Sequence, residues 1–318
     1  MKKILVNKII SFSPYIELAI RWIYWKIICQ FLNITPNVRN KRKDRKKKNL
    51  SFVEISSFLK DNGVKSSDIL LVHSSFKELK GLGKSPIQLI ENLKQIVSDG
   101  TLVMPSIRKF ENDPPINKYL NYDYSEEVTN FDLYKTPVIT GILPSVMITM
   151  PDSEISLHPL NNLVAIGRQA KEMMKNNIIL DKPAPCGVNS SWKFCLDHDA
   201  YIIGLGIELA SCLTMIHTIE DCMDENWPIK NWYRERMFKI TKHNHTENKI
   251  IRERLPIWGS LHWAGRTSSK DLIKYNIVNS IYINGVIIEI ISSKKLEKFL
   301  KSKNINGYPY FCVKKKLK

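Results

Sequence analysis

Several short motifs that would indicate a function directly are missing from this chain of 318 residues. It has no C-x-x-C pair and no H-E-x-x-H, G-x-x-x-x-G-K-[S/T] or G-x-G-x-x-G motif. These absences argue against a zinc site, a P-loop and a Rossmann dinucleotide site. No repeat of about 20 to 50 residues is visible, which argues against a solenoid or a propeller.

The composition is otherwise ordinary for a folded protein. Glycine (13) and proline (15) are neither scarce nor abundant, so a collagen-like or disordered chain is not indicated. With 43% apolar and 25% charged residues, the chain can bury a full core. We expect one large α/β domain, with or without appendages.

Cysteine is sparse and scattered. The six residues are Cys29, Cys186, Cys195, Cys212, Cys222 and Cys312. Their spacing indicates a reduced, cytoplasm-facing compartment and predicts no metal site. Cys186 and Cys212 could carry an acyl group, but neither has an evident base, and we interpret both as structural.

Positive charge is concentrated at the N-terminus. Residues 1–50 hold 13 Lys/Arg against two Asp/Glu, a net charge of +11, which leaves +6 of the total +17 for the other 268 residues. A nucleic-acid-binding protein would instead carry a basic patch with aromatic residues on its folded body. We therefore expect no nucleic-acid partner.

The first fifty residues are predicted to associate with a membrane surface. Residues 9–33 are apolar and aromatic, but Glu17, Arg21 and Lys26 make a spanning helix costly, and no small-residue cleavage site follows. An amphipathic helix in the headgroup layer suits this pattern, and residues 39–48 add eight basic side chains. The alternative is a helix that packs on the body, followed by a solvated linker.

Strands and helices alternate from Ser51 onward. Predicted helices cover 51–63, 86–100, about 140–150, 213–223 after the N-cap Ser211, and 293–303; predicted strands cover 68–73, 101–106, 163–167 and 200–207. Residues 111–137 read as a long polar loop, and hairpins are predicted at 237–254 and at Asn284-Gly285. We expect an α/β fold, a mixed sheet with helices on its faces, preceded by an N-terminal amphipathic helix and ending in a hairpin-rich C-terminal part.

Polar residues cluster where strands end. His73, Ser74 and Ser75 follow one strand and precede a glycine-containing loop, a junction that can hold phosphate oxygens. Thr214, His217 and Glu220 stand at i, i+3 and i+6, roughly on one helix face. Taken singly, the first pattern is better explained by an ordinary strand end with capping serines, and the second by a solvated His/Glu pair.

Several stretches in the same order resemble the aminoglycoside 3-N-acetyltransferase family, with its antibiotic N-acetyltransferase fold. They are LLVHSSFKELKGLG (70–83), GTLVMPS (100–106), TPVITGILPSVM (136–147), SLHPLNNLVAIGRQAKEM (156–173), PCGVNSSWKFCLDHDAYIIGLGI (185–207) and LTMIHTIE (213–220). The resemblance covers about residues 50–225 and is weak beyond Pro228. It implies a domain over 51–318 that transfers an acetyl group from acetyl-CoA, without a metal, to an amine of an amino sugar.

The resemblance also assigns residues. His158 matches the family's H-P histidine, and Thr214, His217 and Glu220 match its T-x-x-H-x-x-E pattern. His73, Ser74 and Ser75 are expected in the coenzyme A groove, together with Met104, Pro105 and Ser106. The chain departs from the family at Asn162, where a serine is frequent, at Cys186, where an aromatic is common, and in its N-terminal segment.

A histidine suits the chemistry, because an acceptor amine must lose a proton to attack a thioester. We expect His158 to be the base, Glu220 to orient it, and Thr214 or backbone N–H groups to stabilise the oxyanion.

The acceptor is left open between two amino-sugar classes. Asp123, Glu126, Glu127, Asp224 and Glu225 would suit a polycationic aminoglycoside, as in antibiotic resistance. Arg234 and Arg236 would suit a phosphate-bearing sugar. We prefer the second class: an amino sugar on a nucleotide or lipid carrier in surface-polysaccharide assembly. Asp123, Asn162 and these two arginines are the expected substrate ligands. The enzyme is expected at the inner face of the cell membrane. A catalytically inactive membrane-associated binding protein is the alternative of another class. The oligomeric state stays open.

Overall fold

The computed structural model describes residues 14–27, 49–115, 118, 120, 122–223, 227, 229–259 and 271–304. Several sequence expectations fall outside these ranges. They are the basic run 39–48, the ends of segment 9–33, Cys29, Cys312, Asp224 and Glu225.

A seven-stranded mixed sheet forms the centre of the molecule. Its strands are β1 (Ile69–Ser74), β2 (Thr101–Pro105), β4 (Glu154–Ile155), β5 (Leu163–Gly167), β6 (Tyr201–Leu205), β9 (Asn279–Ile283) and β10 (Val286–Ser292). Their order is β4-β5-β2-β1-β6-β10-β9. The central trio β2-β1-β6 is parallel, and the outer strands pair antiparallel. The C-terminal third therefore contributes two strands to the same sheet.

Apolar runs place the central strands between two core layers. Side chains of a strand point alternately to opposite faces. Leu70 and Val72 of β1 accordingly pack in one core cluster, whereas Ile69 and Leu71 pack in the other. Because both faces are covered, β1 and β2 read as continuous apolar stretches.

Helices cover the sheet faces, and nine of them have their bounds within the described residues. They are α1 (Pro14–Trp25), α2 (Phe52–Asp61), α3 (Pro86–Ile96), α4 (Ile142–Met147), α5 (Ala170–Met174), α6 (Ser191–Asp197), α7 (Ile216–Asp221), α8 (Pro256–Gly259) and α9 (Ser293–Asn304). The start of α3 has a local cause: Ser85 and Gln88 form a capping box before Pro86.

A second, three-stranded sheet corrects the prediction of a long loop at 111–137. It consists of β3 (Val128–Asp132), β7 (Tyr233–Lys242) and β8 (His245–Arg254), with β3 parallel to β7. In β3 only Thr129 and Phe131 are buried, a short alternation that polar neighbours hide in the sequence. The predicted hairpin at 237–254 is confirmed as β7–β8.

Other sequence expectations can be compared directly. The β9–β10 hairpin is confirmed, with φ of 49° at Asn284 and 84° at Gly285, as a two-residue primed turn requires. Helix α7 begins at Ile216, later than expected, and Ser211 does not cap it, since its hydroxyl donates to the carbonyl of Glu208. The sequence interpretation missed α5 and α6.

Helix α1 has one face against the body. Leu18 packs on a cluster formed by Trp227, Trp232 and Trp258, and the ring of Tyr15 lies edge-on to Trp258 with centroids 5.7 Å apart. Ile20, Ile23 and Ile27, at helical spacing, are between 42% and 52% exposed. Of the helices described, none has both the length and the apolar content to span a bilayer.

Candidate active site

Helix α7 carries an imidazole and a carboxylate in direct contact. The Nδ1 atom of His217 lies 2.7 Å from Oε2 of Glu220, one helical turn later. The Glu220 side chain is 1% exposed, whereas that of His217 is 20% exposed. A buried carboxylate thus fixes the ring of a histidine that solvent or substrate can reach.

Arg254, the last residue of β8, contacts both groups. Its Nη1 lies 3.0 Å from Oε2 of Glu220 and 2.9 Å from Nδ1 of His217, and its Nη2 lies 3.1 Å from Nε2. If Nδ1–H donates to Glu220, Nε2 carries the lone pair of the ring. Because Nη1 and Nη2 lie against different ring nitrogens, the guanidinium covers one face of the imidazole, and Nη1 also donates to the carboxylate of Glu220.

Asp221 links α7 by hydrogen bonds to the segment at Cys186 and to strand β7. It is buried, and its carboxylate accepts hydrogen bonds from the backbone N–H of Cys186 at 2.9 Å and from the hydroxyl of Tyr233 at 2.7 Å. Burial raises the pKa of this carboxyl above its usual value. Beside it opens a cleft whose lining includes Asn177, Pro183, Ser190, Asp221 and Arg252.

His158 lies in the interior and faces backbone groups. It is 2% exposed; Nδ1 is 2.9 Å from the carbonyl oxygen of Leu160 and Nε2 is 3.4 Å from that of Pro183. Burial lowers the pKa of His158 to about 4. The Glu220 carboxylate, which was expected to orient His158, is instead bonded to His217. The geometry therefore argues against His158 as the base of the unliganded site.

Asn162 and Ser106 hold the His158 loop from inside. The Ser106 hydroxyl donates to Oδ1 of Asn162 at 2.6 Å, and the amide of Asn162 donates to the carbonyls of Ser156 and His158. Asn162 and Ser106 are fully buried, and Met104 is 1% exposed. The geometry thus argues against direct contacts of Asn162 with an acceptor and of Met104, Pro105 or Ser106 with coenzyme A.

The end of β1 keeps features suited to coenzyme A. His73 is buried and stacks on Trp192 with centroids 6.4 Å apart, and its Nε2 has no hydrogen-bond partner among the residues described. Burial lowers the pKa of His73 to about 4. Ser74 and Ser75 are half-buried. A buried nitrogen without a partner, next to two hydroxyls at a strand end, fits a polar ligand such as coenzyme A.

Arg234 and Arg236 are occupied by protein groups. Arg236 is 2% exposed, contacts Glu253 and Asp113 at 3.4 Å, and lies 3.7 Å over the ring of Tyr124. Arg234 bonds Glu253 at 2.6 Å and the carbonyl of Tyr122 at 2.8 Å. Both brace the second sheet, so the geometry argues against the expected phosphate site at this pair.

The remaining candidates have distinct surroundings. Asp123 is exposed, and hydrogen bonds from Ser125 lower its pKa. Thr214 is half-buried just before α7, with its hydroxyl 3.4 Å from the carbonyl of Cys212. Burial raises the pKa of Cys186 well above the ordinary range and that of Cys212 to about 12, which suits thiols that pack rather than react.

Arg254 and Asp221 were not recognised in the sequence as site residues. The contact of Arg254 depends on how the β7–β8 hairpin docks on α7, which local spacing does not encode. One signal was available: Arg252 and Arg254 stand two apart in a strand and therefore share a face.

Comparison with known proteins decides the family. Residues 71–273 match the family model described as "Aminoglycoside 3-N-acetyltransferase". The chain belongs to this family. Aminoglycoside N(3)-acetyltransferase IV from Salmonella sp is 30% identical over 135 residues, which is 42% of this chain and 45% of that relative. The chain thus spans about half the length of the curated relative it matches.

Solved structures share the fold at low identity. AAC-IIIb, in a binary complex with CoASH, is similar with a TM-score of 0.62 and 18% identity over 78% of this chain and 93% of that one. AAC(3)-IIb gives a TM-score of 0.63 and 17% identity over 82% and 99%. The sequence-based expectations of the family and of a mixed α/β antibiotic N-acetyltransferase fold are confirmed.

Proposed function

We propose that this protein is an acetyl-CoA-dependent N-acetyltransferase that acts on an amine of an amino sugar. The observation that carries the proposal is the contact of 2.7 Å between His217 and the buried carboxylate of Glu220. Membership of the acetyltransferase family supports the same reaction. One structural neighbour was solved with CoASH, which supports coenzyme A as the carrier.

In the proposed mechanism His217 is the base. Nε2 takes a proton from the acceptor amine as the nitrogen attacks the thioester carbonyl, and Glu220 stabilises the imidazolium through Nδ1. Acetyl-CoA supplies the acetyl group, its C–S bond breaks as the N–C bond forms, and the proton on His217 passes to the leaving thiolate. If the acceptor arrives as an ammonium, it first loses one proton to solvent, and the neutral amine then attacks.

The other candidates take supporting roles in this proposal. His158 is a positioning residue that fixes the loop between β4 and β5, because both its nitrogens face backbone groups. Thr214 keeps its expected role as an oxyanion donor. His73, Ser74 and Ser75 remain the residues expected to bind coenzyme A.

The relatives favour an aminoglycoside as the acceptor. The curated relative is named for aminoglycoside N(3)-acetylation, and AAC-VIa was solved with sisomicin bound. A second candidate is an amino sugar on a nucleotide or lipid carrier in surface-polysaccharide assembly. Arg254 at His217 and Arg252 in the adjoining cleft favour it, since both would suit a phosphate.

We also propose that α1 and the basic run 39–48 attach the enzyme peripherally to the inner face of the cell membrane. Ile20, Ile23 and Ile27 form an exposed apolar face, and anionic lipids would attract the eight cations that follow in the sequence. The packing of Leu18 on the tryptophan cluster leaves this face outward.

Thiol release from acetyl-CoA tests the enzyme proposal. Release is expected with at least one member of a panel of aminoglycosides and nucleotide-linked amino sugars, with one N-acetylated product formed per thiol. Coenzyme A binding without release for any acceptor would instead support the inactive binding protein. Neither release nor binding would refute the proposed co-substrate as well.

A further inference from the structure

Arg254 covers the two groups assigned to catalysis. Nη1 lies 3.0 Å from the carboxylate of Glu220, and Nη2 lies 3.1 Å from Nε2 of His217. The side chain is 28% exposed, and its guanidinium lies 5.9 Å over the ring of Trp232. Hydrogen bonds between charged groups are stronger than neutral ones, so this contact holds the guanidinium at the imidazole while leaving it open to solvent on one side.

A guanidinium has the features that the acceptor amine needs at this position. An approaching ammonium also carries positive charge and N–H donors, and it would meet the same carboxylate and ring nitrogen. Arg254 therefore occupies the place of the acceptor amine. Its Nη2 also lies 3.1 Å from Nε2, the atom that must receive the proton, so an acceptor amine can reach this nitrogen only after the guanidinium moves away.

The surroundings indicate which acceptor displaces it. Arg252 stands on the same face of β8, two residues earlier, and lines the cleft that also includes Asp221 and Ser190. A phosphate close to the acceptor amine would pair with the displaced guanidinium, since arginine binds phosphate through two parallel N–H donors. A purely cationic acceptor offers no such group and repels the arginine.

We propose that Arg254 is a specificity-determining residue: it caps the His217–Glu220 pair and yields to amino sugars that carry a phosphate near the amine. The inference rests on the proposed function. It adds the substrate class and the residue that selects it.

Replacement of Arg254 should reverse the preference. The experiment compares three proteins: the full chain, Arg254→Gln and the control Lys239→Ala, which removes an exposed cation from the same hairpin. Each is assayed with glucosamine 6-phosphate, glucosamine and sisomicin as acceptors. In the full chain and the control, kcat/KM is expected to be about tenfold higher for the phosphorylated sugar than for glucosamine. In Arg254→Gln this ratio falls towards one and kcat/KM for sisomicin rises about tenfold. An unchanged ratio in Arg254→Gln overturns the proposal. If that variant melts early, Arg254→Met is used, which also removes the charge, and an unchanged ratio in it counts equally against the proposal.

A second readout needs no turnover. Diethylpyrocarbonate modifies an uncovered imidazole nitrogen, and mass spectrometry of the His217 peptide reports the rate. Modification is expected to be about tenfold faster in Arg254→Gln than in Lys239→Ala. Equal rates contradict the cap. If no acceptor gives thiol release but His217 is modified faster in Arg254→Gln, the proposed function is refuted, whereas the covering of His217 by Arg254 is supported.

Discussion

At the scale of single residues, His217 and His158 differ in what their ring nitrogens meet. His217 has a carboxylate on Nδ1 and is 20% exposed, whereas both nitrogens of His158 face carbonyl oxygens in the interior. Only at His217 can a substrate amine approach one ring nitrogen, Nε2, while a carboxylate on the other, Nδ1, stabilises the imidazolium. The family pattern supplied both histidines, but spacing alone could not rank them, because burial depends on how α7 and the His158 loop pack.

The carboxylate of Glu220 should affect the rate of acetyl transfer more than the binding of coenzyme A. Glu220→Gln keeps the size of the side chain but removes the charge that stabilises the imidazolium. We expect the acetyl-transfer rate to fall about 10- to 100-fold, measured under single-turnover conditions, with little change in the affinity for coenzyme A. Glu54→Gln, which makes the same change of charge at an exposed position of α2, is the control. A normal rate in Glu220→Gln would remove the carboxylate from the mechanism.

Asn162 should act through stability. Asn162→Ala deletes the buried bonds to Ser106, Ser156 and His158 and leaves their partners unsatisfied. The free energy of unfolding is expected to drop by about 1–3 kcal/mol per group left without a partner, measured by urea titration. Asn161→Gly, which tolerates the φ of 48° at this position and loses a contact of 3.5 Å to the sulfur of Cys186, is the matched control. Equal stability of the two variants would contradict a structural role.

At the scale of elements, regular patterns in the sequence predicted most of the large sheet. The β9–β10 hairpin follows from an Asn-Gly pair between apolar runs, and β1 and β2 follow from their continuous apolar stretches. Strand β3 could not be predicted, because it has only two buried side chains and depends on pairing with β7, about a hundred residues away. The same long-range docking brings Arg254 onto α7 and engages Arg234 and Arg236, so the charged part of the site was the least predictable.

Helix α1 offers a test of membrane attachment. Ile23→Asp places a charge on the exposed apolar face and should weaken binding to vesicles rich in phosphatidylserine by about tenfold or more, measured by co-sedimentation. Val53→Asp, at an apolar position that is 72% exposed on α2, is the control. Similar loss in both variants, or none in either, would contradict a specific role of α1.

At the scale of the whole molecule, two buried histidines make stability depend on pH. Burial lowers the pKa of His73 and of His158 to about 4, from an ordinary value of 6.5. Below pH 6.5 these histidines bind protons in the unfolded chain, whereas in the folded chain they stay neutral down to about pH 4. Stability is therefore lost as the pH falls through this window, by on the order of 3 kcal/mol for each histidine.

Asp221 and Glu289 act in the opposite direction, since burial raises the pKa of both carboxyls and the folded chain takes up their protons first. Comparison with His73→Gln isolates one histidine. The difference in unfolding free energy between the full chain and this variant should change between pH 6.5 and 4 and be constant above pH 7. A difference that is independent of pH would show that His73 titrates normally in the folded state.

The assignment of His217 as the base is the central claim, and the single-turnover acetyl-transfer rate of His217→Ala tests it most directly. The measurement uses an acceptor that supports thiol release, with coenzyme A affinity and melting temperature recorded on the same sample. We expect the rate to fall by about two to four orders of magnitude while binding and melting stay close to those of the unmodified chain. A folded His217→Ala protein that transfers acetyl groups at a near-normal rate would contradict the assignment.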